Sequence, residues 1–181
     1  MSTGNQTTVE KTTKKKRSLK HWLKEIAIYF VVIVAVSMAV DAWRMSEMPT
    51  KVAPRLEGLT LSGEYLDAIE MSYSKPVIVY FWATWCGACK FVSPTINSVG
   101  DSYHVVGIAG SSGEDKRVSR FMAAHDYHFN NINDNRSEIF RQWGVSVTPT
   151  IVILHQGQIK SVTTGITTPP GLYARLWLEN F

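Results

Sequence analysis

Cys86 and Cys89 are the only cysteines of the 181-residue chain, three positions apart in "YFWATWCGACKFVSP", residues 80–94. Two thiols at this spacing on a helix start suit thiol–disulfide exchange, half of a metal site, or a small structural staple. An apolar, β-branched run, "PVIVYFWA" (76–83), comes immediately before them, and a helical pattern from Gly87 to about Gly100 follows. A pair set where a buried strand turns into a helix has chemical consequences. The free N–H groups and positive dipole end of the helix stabilise an anion, so Cys86 is expected to carry a depressed pKa and to face outward. Cys89 lies one turn further in and better shielded. Such an asymmetric pair lets an exposed thiolate attack a disulfide while its neighbour resolves the product. Lys90 adds a nearby cation. Zinc would need two more ligands from His21, His104, His125, His128 and His155, with no second cysteine pair to help. A staple closing so short a loop constrains little unfolded-chain entropy.

The elements that must position this pair alternate between strand and helix. "HVVGIAG" (104–110) reads as a second buried strand. Residues 115–125 carry Val118, Phe121 and Met122 at helical spacing, and 136–143 carry Ile139, Phe140 and Trp143 likewise. "TIVILHQGQIKSVTTG" (150–165) is a hairpin around Gln156-Gly157, and a last helix carries Leu172, Leu176 and Trp177. The order βαβα(α)ββα predicts an α/β domain over 56–181, a mixed sheet with helices on both faces.

Ahead of this domain the charge is uneven. Residues 1–25 hold seven Lys and Arg against Glu10 and Glu25, a balance of +5, so the chain's net +4 leaves residues 26–181 at −1. A nearly neutral folded part argues against nucleic-acid binding. Residues 1–21 read as a disordered basic tail. "IAIYFVVIVAVSMAV" (26–40) is uncharged and bracketed by Trp22 and Trp43, which makes 22–43 a membrane span with the lysines, and so the N-terminus, on the cytoplasmic side. A cleaved signal peptide and a buried soluble helix are the competing readings. Residues 44–55, with Pro49 and Pro54, read as a periplasmic tether. Met45 and Met48 offer thioether sulfur to Cu(I), and His125 and His128 form a ligand-like pair; an ordinary juxtamembrane segment and a solvated helix end explain them more simply.

"FWATWCGACK", Pro94 five residues beyond Cys89, and "VSVTPTIVI" about 60 residues on resemble the thioredoxin fold. The chain is similar, over roughly 26–181, to its membrane-anchored extracytoplasmic branch, and within it to the thioredoxin-like proteins of bacterial suppressor-of-copper-sensitivity operons. The matching stretches are "AVSMAVDAW", "RQWGVSVTPT", "GQIKSVTTG" and "LYARLWLEN". The resemblance makes Cys86 the nucleophile and Cys89 the resolving thiol. It places Trp85 beside the disulfide and turns Thr148-Pro149 into a cis-proline loop facing the cysteines. Gly87 and Ala88, whose N–H groups are expected to reach sulfur, replace the usual proline-containing dipeptide. The implied activity is that of an inner-membrane-anchored periplasmic protein-disulfide reductase using no cofactor beyond its Cys86–Cys89 disulfide. Its implied partners are disulfide-bearing clients linked to copper tolerance and a transmembrane electron donor. A disulfide donor and a Cu(I)-binding module using the same thiols are the rivals. Two departures stand out: Tyr80 and Val92 occupy positions where relatives place a buried carboxylate, so the proton acceptor for Cys89 stays open between water, the Tyr80 hydroxyl and a residue distant in sequence.

Overall fold

A computed structural model of the chain describes residues 22, 24–33, 35, 36 and 52–179. The chain divides into two units, Met1–Val40 and Asp41–Phe181. In the first, the described residues between 22 and 36 are helical (α1). Among the described residues no helix is long and apolar enough to cross a membrane. The tail expected over 1–21, the span's second half at 37–43 and most of the tether lie outside the described residues.

The second unit runs β1 (Glu57–Leu59), β2 (Tyr65–Asp67), α2 (Ala68–Ser74), β3 (Val77–Trp82), α3 (Cys89–Val99), β4 (His104–Gly110), α4 (Asp115–Ala124), β5 (Asn130–Asp134), α5 (Glu138–Gln142), β6 (Thr150–His155), β7 (Gln158–Thr164) and α6 (Pro169–Glu179). Five strands form one sheet in the order β5-β4-β3-β6-β7, while β1 and β2 pair separately. β3, β4 and β5 run parallel, β6 runs antiparallel to β3, and β7 returns along β6. The mixed sheet expected from the sequence is therefore present.

β3 sits at the centre, which is why its run is apolar without alternation: every residue from Val77 to Trp82 is buried. Successive side chains point to opposite faces. Ile78, Tyr80 and Trp82 pack with Val92 and Ile96 of α3, Val118 of α4 and Leu172 and Leu176 of α6. Val77, Val79 and Phe81 pack on the other face with Ala68, Phe140 and Trp143. Both layers hold the end of β3 rigidly, and the cysteine loop leaves from that end.

Several elements depart from the sequence expectation. The pair β1–β2, helix α2 and strand β5 had no periodic signal long enough to announce them. α2 is started by Asp67, whose carboxylate accepts the N–H groups of Ile69 at 2.8 Å and Glu70 at 3.1 Å. β5, "NNIND", is a strand through tertiary contacts. Buried Asn131 accepts the indole N–H of Trp82 at 2.8 Å, and buried Asp134 accepts the N–H groups of Glu138 and Phe140 at 2.7 and 2.9 Å. The fold also starts earlier than residue 56. Val52 bridges to Gln158, the Ala53 N–H donates to the Gly157 carbonyl, and Ala53 is buried, so 52–55 dock on the hairpin as part of the domain.

Candidate active site

After Trp82 the chain leaves the sheet in a turn stitched to the end of β4. The Thr84 N–H donates to Ser112 Oγ at 3.0 Å, and Ser112 Oγ donates to the Gly110 carbonyl at 3.0 Å. The Trp85 indole N–H donates to the Ser111 carbonyl at 3.1 Å, fixing a ring that is otherwise 65% exposed. The Cys86 N–H donates to the Ala83 carbonyl. Cys86 and Cys89 are joined by a disulfide with Cα atoms 5.3 Å apart.

Two expectations need correction. The helix begins at Cys89, with Ala88 as its N-cap, because Gly87 and Ala88 form a turn before it. The backbone donor to sulfur is consequently the N–H of Cys89, 3.1 Å from Cys86 Sγ, in place of those of Gly87 and Ala88. Nor does Cys86 face outward: it is 6% exposed against 1% for Cys89. Cys86 is the more accessible of the two, both are buried, and Trp85, Lys90 and Phe91 beside them are exposed.

Pro94 lies inside α3 and cannot donate to the Lys90 carbonyl one turn back. The Thr148–Pro149 peptide is cis. Antiparallel pairing of Phe81 with Thr150 carries this peptide alongside the residues just after β3, from which the cysteine loop departs. The Pro149 carbonyl accepts the Gly165 N–H at 2.8 Å. Thr148 is half-buried, and its backbone N–H and C=O have no partner among the described residues.

Behind the cysteines, fully buried Tyr80 brings its hydroxyl 2.9 Å from Ser93 Oγ and 3.5 Å from the Cys89 carbonyl, to which it donates. Burial pushes this phenol well above its ordinary value, with the Ser93 hydrogen bond pulling the other way. Tyr80 therefore stays neutral through the physiological range, and its hydroxyl meets the backbone carbonyl of Cys89. The sign of its effect on stability follows from linkage. Below about pH 10 the phenol is protonated in both folded and unfolded chains; above it the unfolded chain loses a proton that the folded chain keeps. Stability of the oxidised protein is thus expected to fall as pH rises beyond about 10, and urea titrations from pH 9 to 11.5 should show a shallower fall for Tyr80→Phe.

The two thiols are spent on each other, and among the described residues no group of three or more His, Cys, Asp or Glu is placed to hold a metal ion. His125 stacks on Phe121 with ring centroids 4.1 Å apart, and His128 Nε2 lies 3.0 Å from Asp126 Oδ1. Met45 and Met48 lie outside the described residues. The sequence reading missed a pocket of about 470 Å³ running from Trp85 to Thr148, floored by Phe140 and Val145. Its rim joins Ser111 and Ser137, 26 positions apart, and no local pattern connects them.

The thioredoxin family model matches residues 59–176. A thioredoxin-like protein of Haemophilus influenzae is 37% identical over 168 residues, covering 90% of this chain and 98% of the relative. Among solved structures, StoA from Bacillus subtilis superposes with a TM-score of 0.60 at 23% identity, covering 70% of this chain and 98% of that one. A secreted Mycobacterium tuberculosis disulfide oxidoreductase homologous to Escherichia coli DsbE superposes with a TM-score of 0.58 at 24% identity, covering 68% and 95%. With the sheet, the Cys-x-x-Cys pair at the head of α3 and the Thr148–Pro149 loop in place, the chain belongs to the thioredoxin family and is a protein-disulfide oxidoreductase working by thiol–disulfide exchange through Cys86 and Cys89.

Proposed function

We propose that the protein is a membrane-anchored reductase of protein disulfides on the periplasmic side. The Cys86 thiolate attacks one sulfur of a substrate disulfide; that S–S bond breaks, one substrate thiolate leaves, and a mixed disulfide forms. Cys89 then gives its proton to water and attacks Cys86 Sγ, releasing the second substrate thiolate and closing the Cys86–Cys89 disulfide. Two electrons have passed to the substrate, and a transmembrane dithiol carrier restores them by the same exchange in reverse. The free backbone groups of Thr148 suit pairing with an extended substrate segment during the attack.

The observation that carries the direction is the sparse support for Cys86 Sγ: among the described residues one backbone N–H, that of Cys89, donates to it. Strong oxidants of this fold owe their potential to heavy stabilisation of the reduced, thiolate form. One N–H and a helix dipole lower a thiol pKa modestly, which suits a reductase with a potential nearer about −270 mV than about −120 mV. Supporting the anchor are the basic segment before residue 25, the uncharged run 26–40 and the exposure of Tyr29, Phe30, Val31, Val32 and Ile33 on α1. The resemblance to suppressor-of-copper-sensitivity proteins suggests clients whose thiols copper oxidises. Alkylating thiols in intact cells tests the direction: a largely reduced pair is expected, and a fully oxidised resting pair would make the protein a disulfide donor. A reporter fused after residue 50 should be active only outside the cytoplasm.

A further inference from the structure

We propose that the pocket beside the disulfide selects substrate segments carrying a carboxylate side chain within about two residues of the reacting cysteine, with Arg141 reading the charge. This rests on the thiol–disulfide exchange proposed above and adds a substrate class to it. The pocket, about 470 Å³, starts at Trp85, the residue next to Cys86, and ends at Thr148, whose backbone is free to pair with a substrate strand. A strand advances about 3.3 Å per residue, so a segment held at Thr148 with its sulfur at Cys86 delivers a neighbouring side chain into the space between.

The lining is one-sided in charge: it contains Arg141 and no aspartate or glutamate. Arg141 is exposed and spends Nη1 on the Arg136 carbonyl at 2.8 Å, leaving other guanidinium N–H groups to donate. Glu138, one turn before it on α5, is exposed and forms no ion pair with it. A second donor comes from the serines on the rim. Ser111 and Ser137 both hold left-handed backbone, φ 44° and 54°, and their hydroxyls lie 2.7 Å apart. Neither is glycine, so each conformation costs free energy that the surroundings must supply, a situation concentrated at ligand-contacting sites. One hydrogen bond between two hydroxyls uses one O–H and leaves the other to donate elsewhere. An apolar floor from Phe140 and Val145 suits the methylene stem of the side chain. The Arg141 guanidinium and the serine pair, with no carboxylate among the lining residues and an apolar floor beneath, suit a glutamate or aspartate side chain.

The test uses the reduced full-length chain and three short peptide disulfides identical except for glutamate, glutamine or lysine two positions from cysteine. The expected order of kcat/KM is Glu over Gln by about five-fold, with Lys slowest. The Glu-to-Gln ratio should collapse toward one in Arg141→Gln, persist in part in Arg141→Lys, which keeps the charge, and shrink at about 1 M salt, where the screening length is about 3 Å. A ratio near one in the wild type, or one unchanged by Arg141→Gln, overturns the proposal while leaving exchange intact. Failure of all three peptides to react overturns the exchange reading itself and this inference with it.

Discussion

Cys86→Ser is expected to lower reduction of insulin disulfides to background, a loss of roughly a thousand-fold or more, because a serine hydroxyl at neutral pH supplies no anion to attack sulfur. Cys89→Ser is expected to differ in kind. Cys86 Sγ retains the N–H of residue 89, which belongs to the backbone, so attack proceeds while release fails. Client proteins should then accumulate as mixed disulfides on Cys86, visible on non-reducing gels and dispersed by dithiothreitol. Recovery of adducts with Cys86→Ser and none with Cys89→Ser would reverse the assignment of the two sulfurs. Their burial, 6% and 1%, already favours Cys86 as the one a substrate reaches first.

The largest expected loss of stability comes from Trp82→Ala, about 3–5 kcal/mol in urea unfolding. Trp82 is fully buried on the face of β3 that carries α3, and its ring centroid lies 5.8 Å from that of Phe121 and 6.0 Å from that of Phe129. Truncation opens a cavity among these rings and removes the donor to Asn131 Oδ1, which then lies buried without that partner. Trp82→Phe separates the two effects: most of the volume stays, and the lost hydrogen bond alone should cost about 1–3 kcal/mol. A cost below about 1 kcal/mol for Trp82→Ala would mean that the cluster is not the rigid base beneath the cysteine loop described above.

Periodic signals carried much of this architecture in the sequence. The apolar runs 76–83 and 104–110 correspond to β3 and β4, and Gln156-Gly157 to the hairpin turn, with both residues at positive φ of 54° and 71°. What stayed hidden is held by partners distant in sequence. Asn131 looks like a loop residue until Trp82, 49 positions away, donates to it. Tyr80 stood out by its position before the cysteines, but the contact of its hydroxyl with Ser93 and the Cys89 carbonyl behind the site was not legible. The cysteine pair was legible because its spacing is local. The expected helix start was not, since helical propensity over Gly87-Ala88 does not tell a turn from a first helical turn, and that difference decides which N–H meets sulfur. The pocket that joins Trp85, Ser111, Arg141 and Thr148 depends on four segments meeting, which periodicity does not encode.

The catalytic account turns on Cys86 being ionised near neutrality with the Cys89 N–H as its support. The direct measurement is the pH dependence of Cys86 alkylation by iodoacetamide in reduced, full-length Cys89→Ser protein. A midpoint near about 7 is predicted, below the free-cysteine value of about 8.5 and well above the about 3.5 of a strong oxidant. A midpoint at or above about 8.5 would show that the helix start does not activate this sulfur, and would contradict the mechanism at its first step.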